Sequence, residues 1–195
     1  MKNWKREILS IPNLLSLFRL LLIPVYITIY LKATNTTDYL LAGAILAVSC
    51  LTDMIDGKIA RKFNMITTFG KILDPLADKA TQLALILCLA VSYPVLRVLV
   101  CLFVIKEGFM LAAGCINLKK GKMLKGALMS GKVCTTVLFI SLIALVVLPN
   151  LNDLTRNIIT IVDAVFMVIA LTDYAIAYFK RDAAFQDVEI FHKDK

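Results

Sequence analysis

The chain has 195 residues, of which 59% are hydrophobic, and its mean hydropathy is +0.80. Because apolar residues make up only about half of a soluble domain, this composition excludes an ordinary water-soluble protein. The formal net charge of +8 comes largely from lysines and arginines in the loops. That placement favours membrane topology and attraction to anionic lipid headgroups over binding to nucleic acid.

The N-terminal residues 1–12 begin polar and mix hydrophobic with charged side chains. This pattern predicts a short helix that lies at the membrane interface and ends at Pro12. Six apolar segments follow, each about long enough to cross roughly 30 Å of hydrocarbon as a helix. They run approximately over residues 14–31, 39–55, 73–91, 95–116, 133–148 and 158–178.

The six segments lack the alternation of barrel strands, and backbone groups in lipid must be satisfied within each segment. We therefore predict an all-α membrane protein with six transmembrane helices and a short N-terminal interfacial helix. Residues 1–12 form the interfacial segment and residues 13–180 one six-helix domain. Residues 181–195 form a cytoplasmic tail that we expect to dock loosely or to be mobile.

Positive charge is distributed unequally between the two sides of the predicted bundle. One side carries most of the lysines and arginines, whereas the other has only Lys32, Arg97 and Arg156. Because basic loops remain in the cytoplasm, we expect both termini there. We therefore expect an integral protein of the bacterial inner (plasma) membrane, with its functional site at the cytoplasmic face.

Four aspartates lie within 26 positions at the cytoplasmic junction of the second and third segments: Asp53, Asp56, Asp74 and Asp78. Residues three or four apart share a helix face, so each pair projects two carboxylates in one direction. Four carboxylates near hydrocarbon repel one another unless cations or protons neutralise them. With no histidine or cysteine at ligand spacing nearby, the donors are all oxygen. Such a set favours Mg²⁺ or Mn²⁺, and a pair of ions is common in phosphoryl chemistry.

Residues between the two pairs are suited to a phosphorylated ligand. Gly57 and Gly70 remove side chains where a ligand must approach, and Arg61 supplies a planar fork for phosphate. Taken singly, each signal has an ordinary explanation. An interfacial arginine often marks topology, and a glycine near a helix end is often a cap.

The spacing of eight residues makes the sequence signal specific. They are Asp53, Asp56, Gly57, Ala60, Arg61, Gly70, Asp74 and Asp78. At every one of these positions the chain resembles the motif of the CDP-alcohol phosphotransferase family. The resemblance implies a six-helix protein that assembles as a homodimer. It also implies transfer of a phosphatidyl group from CDP-diacylglycerol to a small alcohol, with release of CMP.

The same resemblance implies a role for each residue of the motif. The metal ligands are implied to be Asp53, Asp56 and Asp74. Asp78 is implied to be a further ligand or the general base that deprotonates the acceptor hydroxyl, which is chemically reasonable for a carboxylate beside metal ions. The frame that binds CDP is implied to consist of Gly57, Ala60, Arg61 and Gly70.

Two stretches, residues 11–19 and 74–79, resemble the phosphatidylglycerophosphate synthase branch of this family, whose acceptor is glycerol 3-phosphate. The cardiolipin synthases, whose acceptor is phosphatidylglycerol, carry similar residues.

A phosphorylated acceptor needs cations, and Lys106, Lys125 and Lys132 are candidates, with Lys132 preferred. Those synthases carry Arg-Glu where this chain has Lys106-Glu107, and lysine lacks the bidentate fork. A local Lys–Glu pair or snorkelling also accounts for Lys106. Lys125 is also explained as an ordinary lysine of a cytoplasmic loop.

The main alternative function is an ion or proton transporter, because buried acidic residues also mark ion pathways. The aspartates concentrate at the cytoplasmic end, however, and only Asp163 and Asp173 lie elsewhere within a segment. This distribution does not form a relay across the membrane. An interaction protein without chemistry would leave the clustered carboxylates unexplained.

Overall fold

The structure is a computed structural model that describes residues 10–62, 70–119, 122–124, 128–180 and 185–187. Side chains are described for residues 10, 13–52, 70, 73–117 and 128–179. The described residues form six long helices, and a 3₁₀ turn over Pro94–Leu96 precedes the fourth. They are α1 (Ile11–Lys32), α2 (Thr36–Lys62), α3 (Gly70–Ser92), α4 (Arg97–Lys119), α5 (Met129–Val147) and α6 (Asp153–Lys180).

The helices confirm the predicted all-α class, but they do not amount to six equivalent spans. Five of them are long and apolar enough to cross a membrane, whereas the apolar part of α2 is the shorter stretch Thr36–Thr52. The second half of α2 carries the polar residues of the motif, which shortens its apolar stretch although the helix continues to Lys62. The structure therefore supports five long candidate spans and one shorter apolar helix.

The start of α1 differs from the sequence-based expectation. Pro12 lies in the first turn of α1, so it helps to begin this helix and does not end a preceding one. Proline suits this position because its missing N–H group would have no intrahelical partner there. The interfacial helix predicted for the first residues lies outside the residues that the structure describes.

The first compact unit comprises Met1–Pro94 together with Leu142–Leu151. Within it α1 packs along both α2 and α3. The Tyr30 hydroxyl donates to Ser92 Oγ at 3.2 Å, which joins the far ends of α1 and α3. Gly43 of α2 lies so close to Val147 that an added Cβ atom would be 2.8 Å from a methyl carbon of that valine. These contacts hold α1, α2 and α3 together with the end of α5.

The second unit comprises Val95–Ser141 and Asn152–Lys195. Here α4 packs against α6, and the ring of Phe109 lies 6.2 Å from that of Tyr178. The N–H group of Leu128 donates to the Tyr174 hydroxyl at 3.2 Å. An added Cβ atom on Gly131 would lie 2.6 Å from this hydroxyl, so only glycine allows α5 to approach the ring this closely.

A two-stranded antiparallel sheet joins the loop after α4 to the C-terminal tail. Strand β1 (Lys122–Leu124) pairs with β2 (Phe185–Asp187), with Lys122 opposite Asp187 and Leu124 opposite Phe185. This strand was not predicted from the sequence, which indicated only a loosely docked or mobile tail. The pairing connects segments far apart in the chain, and three residues are too few to show a strand period.

Candidate active site

Asp53 and Asp56 lie three residues apart in the helical backbone of α2, which confirms that they belong to one helix. The structure does not describe the side chains of these two aspartates or of motif residues 57–61. The convergence of all four carboxylates on one site therefore stays a prediction.

Asp74 and Asp78 lie one turn apart on α3, and both are half-buried. At this spacing both carboxylates lie on one face of the helix, as the sequence predicted. Gly70, the first residue of α3, is buried. Pro75 lies inside the helix, so the carbonyl of residue 71 has no intrahelical N–H partner from that position. The start of α3 thus presents oxygen atoms from side chains and backbone.

Helix α1 contributes a third group of polar side chains that the motif does not include. Ser16 Oγ donates a hydrogen bond to Asp74 Oδ1 at 2.5 Å, and Ser16 has no exposed surface. Asn13 and Arg19 are also buried, at 1% and 2% exposure. Because residues three apart lie on one side of a helix, the three form a buried polar stripe. Burying polar groups is costly without partners, so this stripe indicates a functional or structural requirement.

Ser16, Asn13 and Arg19 are not among the site residues predicted from the sequence. A signal for them was nevertheless present, because polar residues recur every three positions in an otherwise apolar segment. Recurrence of this kind predicts a polar face on a buried helix. It does not indicate which neighbouring helix that face contacts, and the contact with Asp74 required the fold.

The candidate acceptor lysines lie outside the first unit. Lys106 of α4 is 4% exposed, and its Nζ lies 2.6 Å from Glu107 Oε1, so it forms the local ion pair considered above. Lys132 is exposed in α5. Lys125 lies outside the described residues. Both described lysines belong to the second unit, whereas the four aspartates belong to the first.

The described part of the aspartate site has donors of the type that a hard divalent cation prefers. Asp74 and Asp78 provide carboxylate oxygens, and the Ser16 bond occupies only one oxygen of Asp74. Among the described side chains, which exclude Asp53 and Asp56, no three acidic, histidine or cysteine residues form a metal-binding group. The residues present fit Mg²⁺ or Mn²⁺, and a complete ligand set requires the carboxylates of α2.

Comparison with known proteins gives the class of this protein. Residues 9–173 match the family described as CDP-alcohol phosphatidyltransferase, so the chain belongs to this family and is an integral membrane enzyme of that type. Enzymes of this family use a divalent metal ion. This membership excludes the ion or proton transporter considered as the alternative.

The names of individual relatives specify the reaction more narrowly than the family description does. The chain is 32% identical over 177 residues to the CDP-diacylglycerol–glycerol-3-phosphate 3-phosphatidyltransferase of Aquifex aeolicus (strain VF5). That match covers 88% of this chain and 97% of the relative. The enzyme of the same name from Wigglesworthia glossinidia brevipalpis is 46% identical over 72 residues, which cover 36% of this chain and 38% of that protein. A probable phosphatidylglycerophosphate synthase of Mycobacterium tuberculosis (strain CDC 1551 / Oshkosh) is 38% identical over 77 residues, covering 38% of this chain and 37% of that protein.

Proposed function

We propose that this protein transfers the phosphatidyl group of CDP-diacylglycerol to glycerol 3-phosphate and releases CMP, as a phosphatidylglycerophosphate synthase of phospholipid biosynthesis. The observation that carries this proposal is the 32% identity to a relative of that name over 97% of the relative's length. The complete eight-residue motif supports the donor half of the reaction.

The motif residues divide into those that hold metal and those that hold the donor. Asp53, Asp56 and Asp74, with Asp78 as a further ligand, hold a pair of Mg²⁺ or Mn²⁺ ions. When bound, these ions neutralise charge on the donor diphosphate and on the oxygen that leaves. The donor lies against a frame that consists of Gly57, Ala60, Arg61 and Gly70.

Proton transfer is assigned to Asp78. The acceptor hydroxyl oxygen forms a bond to the phosphorus atom that carries the diacylglycerol, and the bond from this phosphorus to the oxygen of CMP breaks. The hydroxyl proton passes to Asp78, and CMP leaves with the electron pair. A carboxylate beside metal ions suits this role because it can accept the proton of a hydroxyl bound within hydrogen-bond distance.

The acceptor phosphate requires cationic side chains. We assign this role to Lys132 first, because its exposed side chain is accessible to a soluble phosphate ester. Lys106 is the second candidate. To bind phosphate, its ammonium group must leave Glu107 or contact Glu107 and the phosphate together. The Lys-Glu sequence at this position leaves phosphatidylglycerol, the cardiolipin synthase acceptor, as the competing choice.

Release of CMP tests the proposal directly. Purified protein in detergent is incubated with Mn²⁺, CDP-diacylglycerol and one acceptor at a time, and the lipid product is separated by thin-layer chromatography. We expect CMP and a labelled lipid with glycerol 3-phosphate, and background release with serine or inositol phosphate. Product formation only with phosphatidylglycerol would replace the proposed acceptor. Absence of CMP with every acceptor would reject the activity.

We also infer a homodimer in the inner membrane, with both termini and the active site on the cytoplasmic side. The excess of lysine and arginine in the loops of that side supports the orientation. The mass of the protein in detergent, measured by light scattering with the detergent contribution subtracted, tests the dimer. We expect twice the mass of one 21.7 kDa chain.

A further inference from the structure

The bond between Ser16 and Asp74 differs from most other hydroxyl bonds in these helices. Thr28, Thr81 and Thr135 each donate to the backbone carbonyl four residues earlier in their own helix. Hydroxyl groups in membrane helices usually form such local bonds. Ser16 instead donates across to another helix, and its acceptor is a carboxylate of the motif.

The environment of this bond makes it strong and geometrically restrictive. Ser16 is fully buried and Asp74 is half-buried, and the donor and acceptor atoms are 2.5 Å apart. Hydrogen bonds to charged groups are shorter and stronger than neutral ones, particularly away from water. The terminal torsion of an aspartate is otherwise broad, so a bond to one oxygen selects the orientation of the other. Asp74 Oδ1 is held by Ser16, and the orientation of Oδ2 is fixed as a result.

We propose that Ser16 is a positioning residue that orients the Asp74 carboxylate for the divalent cation of the active site. This inference rests on the proposed function, because it takes Asp74 as a metal ligand. Hydrogen bonds from neighbouring residues orient metal-binding carboxylates, and their loss typically weakens metal affinity by about 10- to 100-fold. Ser16 acts through Asp74, so its loss weakens metal binding without removing a ligand.

Direct Mn²⁺ binding tests the inference. The full-length protein, saturated with CDP-diacylglycerol, is titrated with Mn²⁺, and free Mn²⁺ is measured by electron paramagnetic resonance. For Ser16→Ala we expect the dissociation constant of Mn²⁺ to rise about 10- to 100-fold. The Mn²⁺ concentration that gives half-maximal CMP release is expected to rise by a similar factor. Ser16→Cys, which keeps the size but is a weak donor, is expected to shift both values in the same direction, and it replaces the alanine variant if that does not fold.

Two further variants separate hydrogen bonding from packing. Ser16→Thr keeps the hydroxyl and is expected to bind Mn²⁺ within about threefold of the unaltered protein. Ser49→Ala removes a serine of α2 that is also buried, and for which the described residues show no bond to a carboxylate. It is therefore expected to leave Mn²⁺ binding unchanged. Mn²⁺ affinity of Ser16→Ala within threefold of the unaltered protein would overturn the inference. An equal loss in the threonine variant would also overturn it, because the effect would then follow shape.

The unaltered protein distinguishes this inference from the proposed function. If it binds Mn²⁺ and releases CMP while the Ser16 variants bind Mn²⁺ equally well, only the positioning role fails. If it neither binds Mn²⁺ nor releases CMP, the proposed function fails, and the positioning role fails with it.

Discussion

Asp78 lies one turn beyond Asp74 and is the residue to which we assign the acceptor proton. We predict that Asp78→Asn lowers the rate of CMP release by at least 100-fold, because a general base typically contributes a factor of about 10² to 10⁴. Donor binding is expected to persist, since the amide retains the shape and one oxygen of the carboxylate. The rate is measured as CMP release, and donor affinity by equilibrium binding of labelled CDP-diacylglycerol. Complete loss of donor binding would instead show that Asp78 serves the metal or the fold and would contradict its role in proton transfer.

Lys106 carries a buried positive charge whose neighbour Glu107 neutralises it at 2.6 Å. If this lysine also binds the acceptor phosphate, Lys106→Gln should raise the KM for glycerol 3-phosphate at least tenfold, with little change in the KM for the donor. Steady-state CMP release at varied concentrations of each substrate provides both values. Lys32→Gln, which alters the exposed lysine at the end of α1, is the control.

A purely structural role for Lys106 predicts a different result. Breaking a buried ion pair by removing one partner costs about 3–5 kcal/mol, because the remaining charge stays buried. In that case Lys106→Gln and Glu107→Gln would lower thermal stability similarly, and both KM values of the surviving enzyme would stay unchanged. That pattern would contradict acceptor binding by Lys106.

The packing of α2 depends on the absence of a side chain at Gly43. We predict that Gly43→Ala lowers the free energy of unfolding by about 1–3 kcal/mol, because its Cβ atom would overlap a branched side chain at 2.8 Å. Thermal unfolding of the purified protein in detergent, monitored by far-ultraviolet circular dichroism, checks this value.

Gly108 of α4 is the matched control, because an added Cβ atom there would meet nothing within 4 Å. Alanine is preferred to glycine inside a helix by about 0.5–1 kcal/mol, so Gly108→Ala is expected to be neutral or slightly stabilising. Equal destabilisation by both substitutions would show that contact with Val147 is not the cause.

Membrane topology depends on whether α2 crosses the bilayer. Its apolar stretch Thr36–Thr52 is about 26 Å long at 1.5 Å per residue, slightly short of roughly 30 Å of hydrocarbon. The complete helix has 27 residues and is about 40 Å long, so its polar end extends beyond the hydrocarbon. If α2 crosses the bilayer, we expect the motif aspartates that follow its apolar stretch to lie at a membrane surface.

We predict that the N-terminus and the C-terminus lie on the same, cytoplasmic side, because six crossings return the chain to its starting side. A fluorescent protein that matures only in the cytoplasm, fused after Lys195, should be fluorescent in cells. A phosphatase that is active only outside, fused after Thr34, should be active. A dark C-terminal fusion combined with an active Thr34 fusion would indicate an odd number of crossings, and α2, whose apolar stretch is the shortest, would then not be a span. A dark C-terminal fusion with an inactive Thr34 fusion would indicate the inverted orientation.

Helix positions were predicted well where long apolar segments determined them. The predicted segment 73–91 corresponds to α3 (Gly70–Ser92), and 158–178 corresponds to α6 (Asp153–Lys180). The helices extend further because their backbone bonds continue beyond the hydrocarbon into polar residues, which hydropathy does not detect. The expectation for Pro12 was wrong because proline is compatible with the first turn of a helix as well as with its end.

Hydrophobicity and motif spacing are properties of the chain read in order, so the amino-acid sequence alone established the membrane location, the helical class and the family resemblance. Contacts between distant residues required the tertiary structure. The bond from Ser16 to Asp74 joins residues 58 positions apart, and it depends on how α1 packs against α3. The pairing of β1 with β2 likewise depends on where the chain brings two short segments together, because neither has enough residues to indicate a partner.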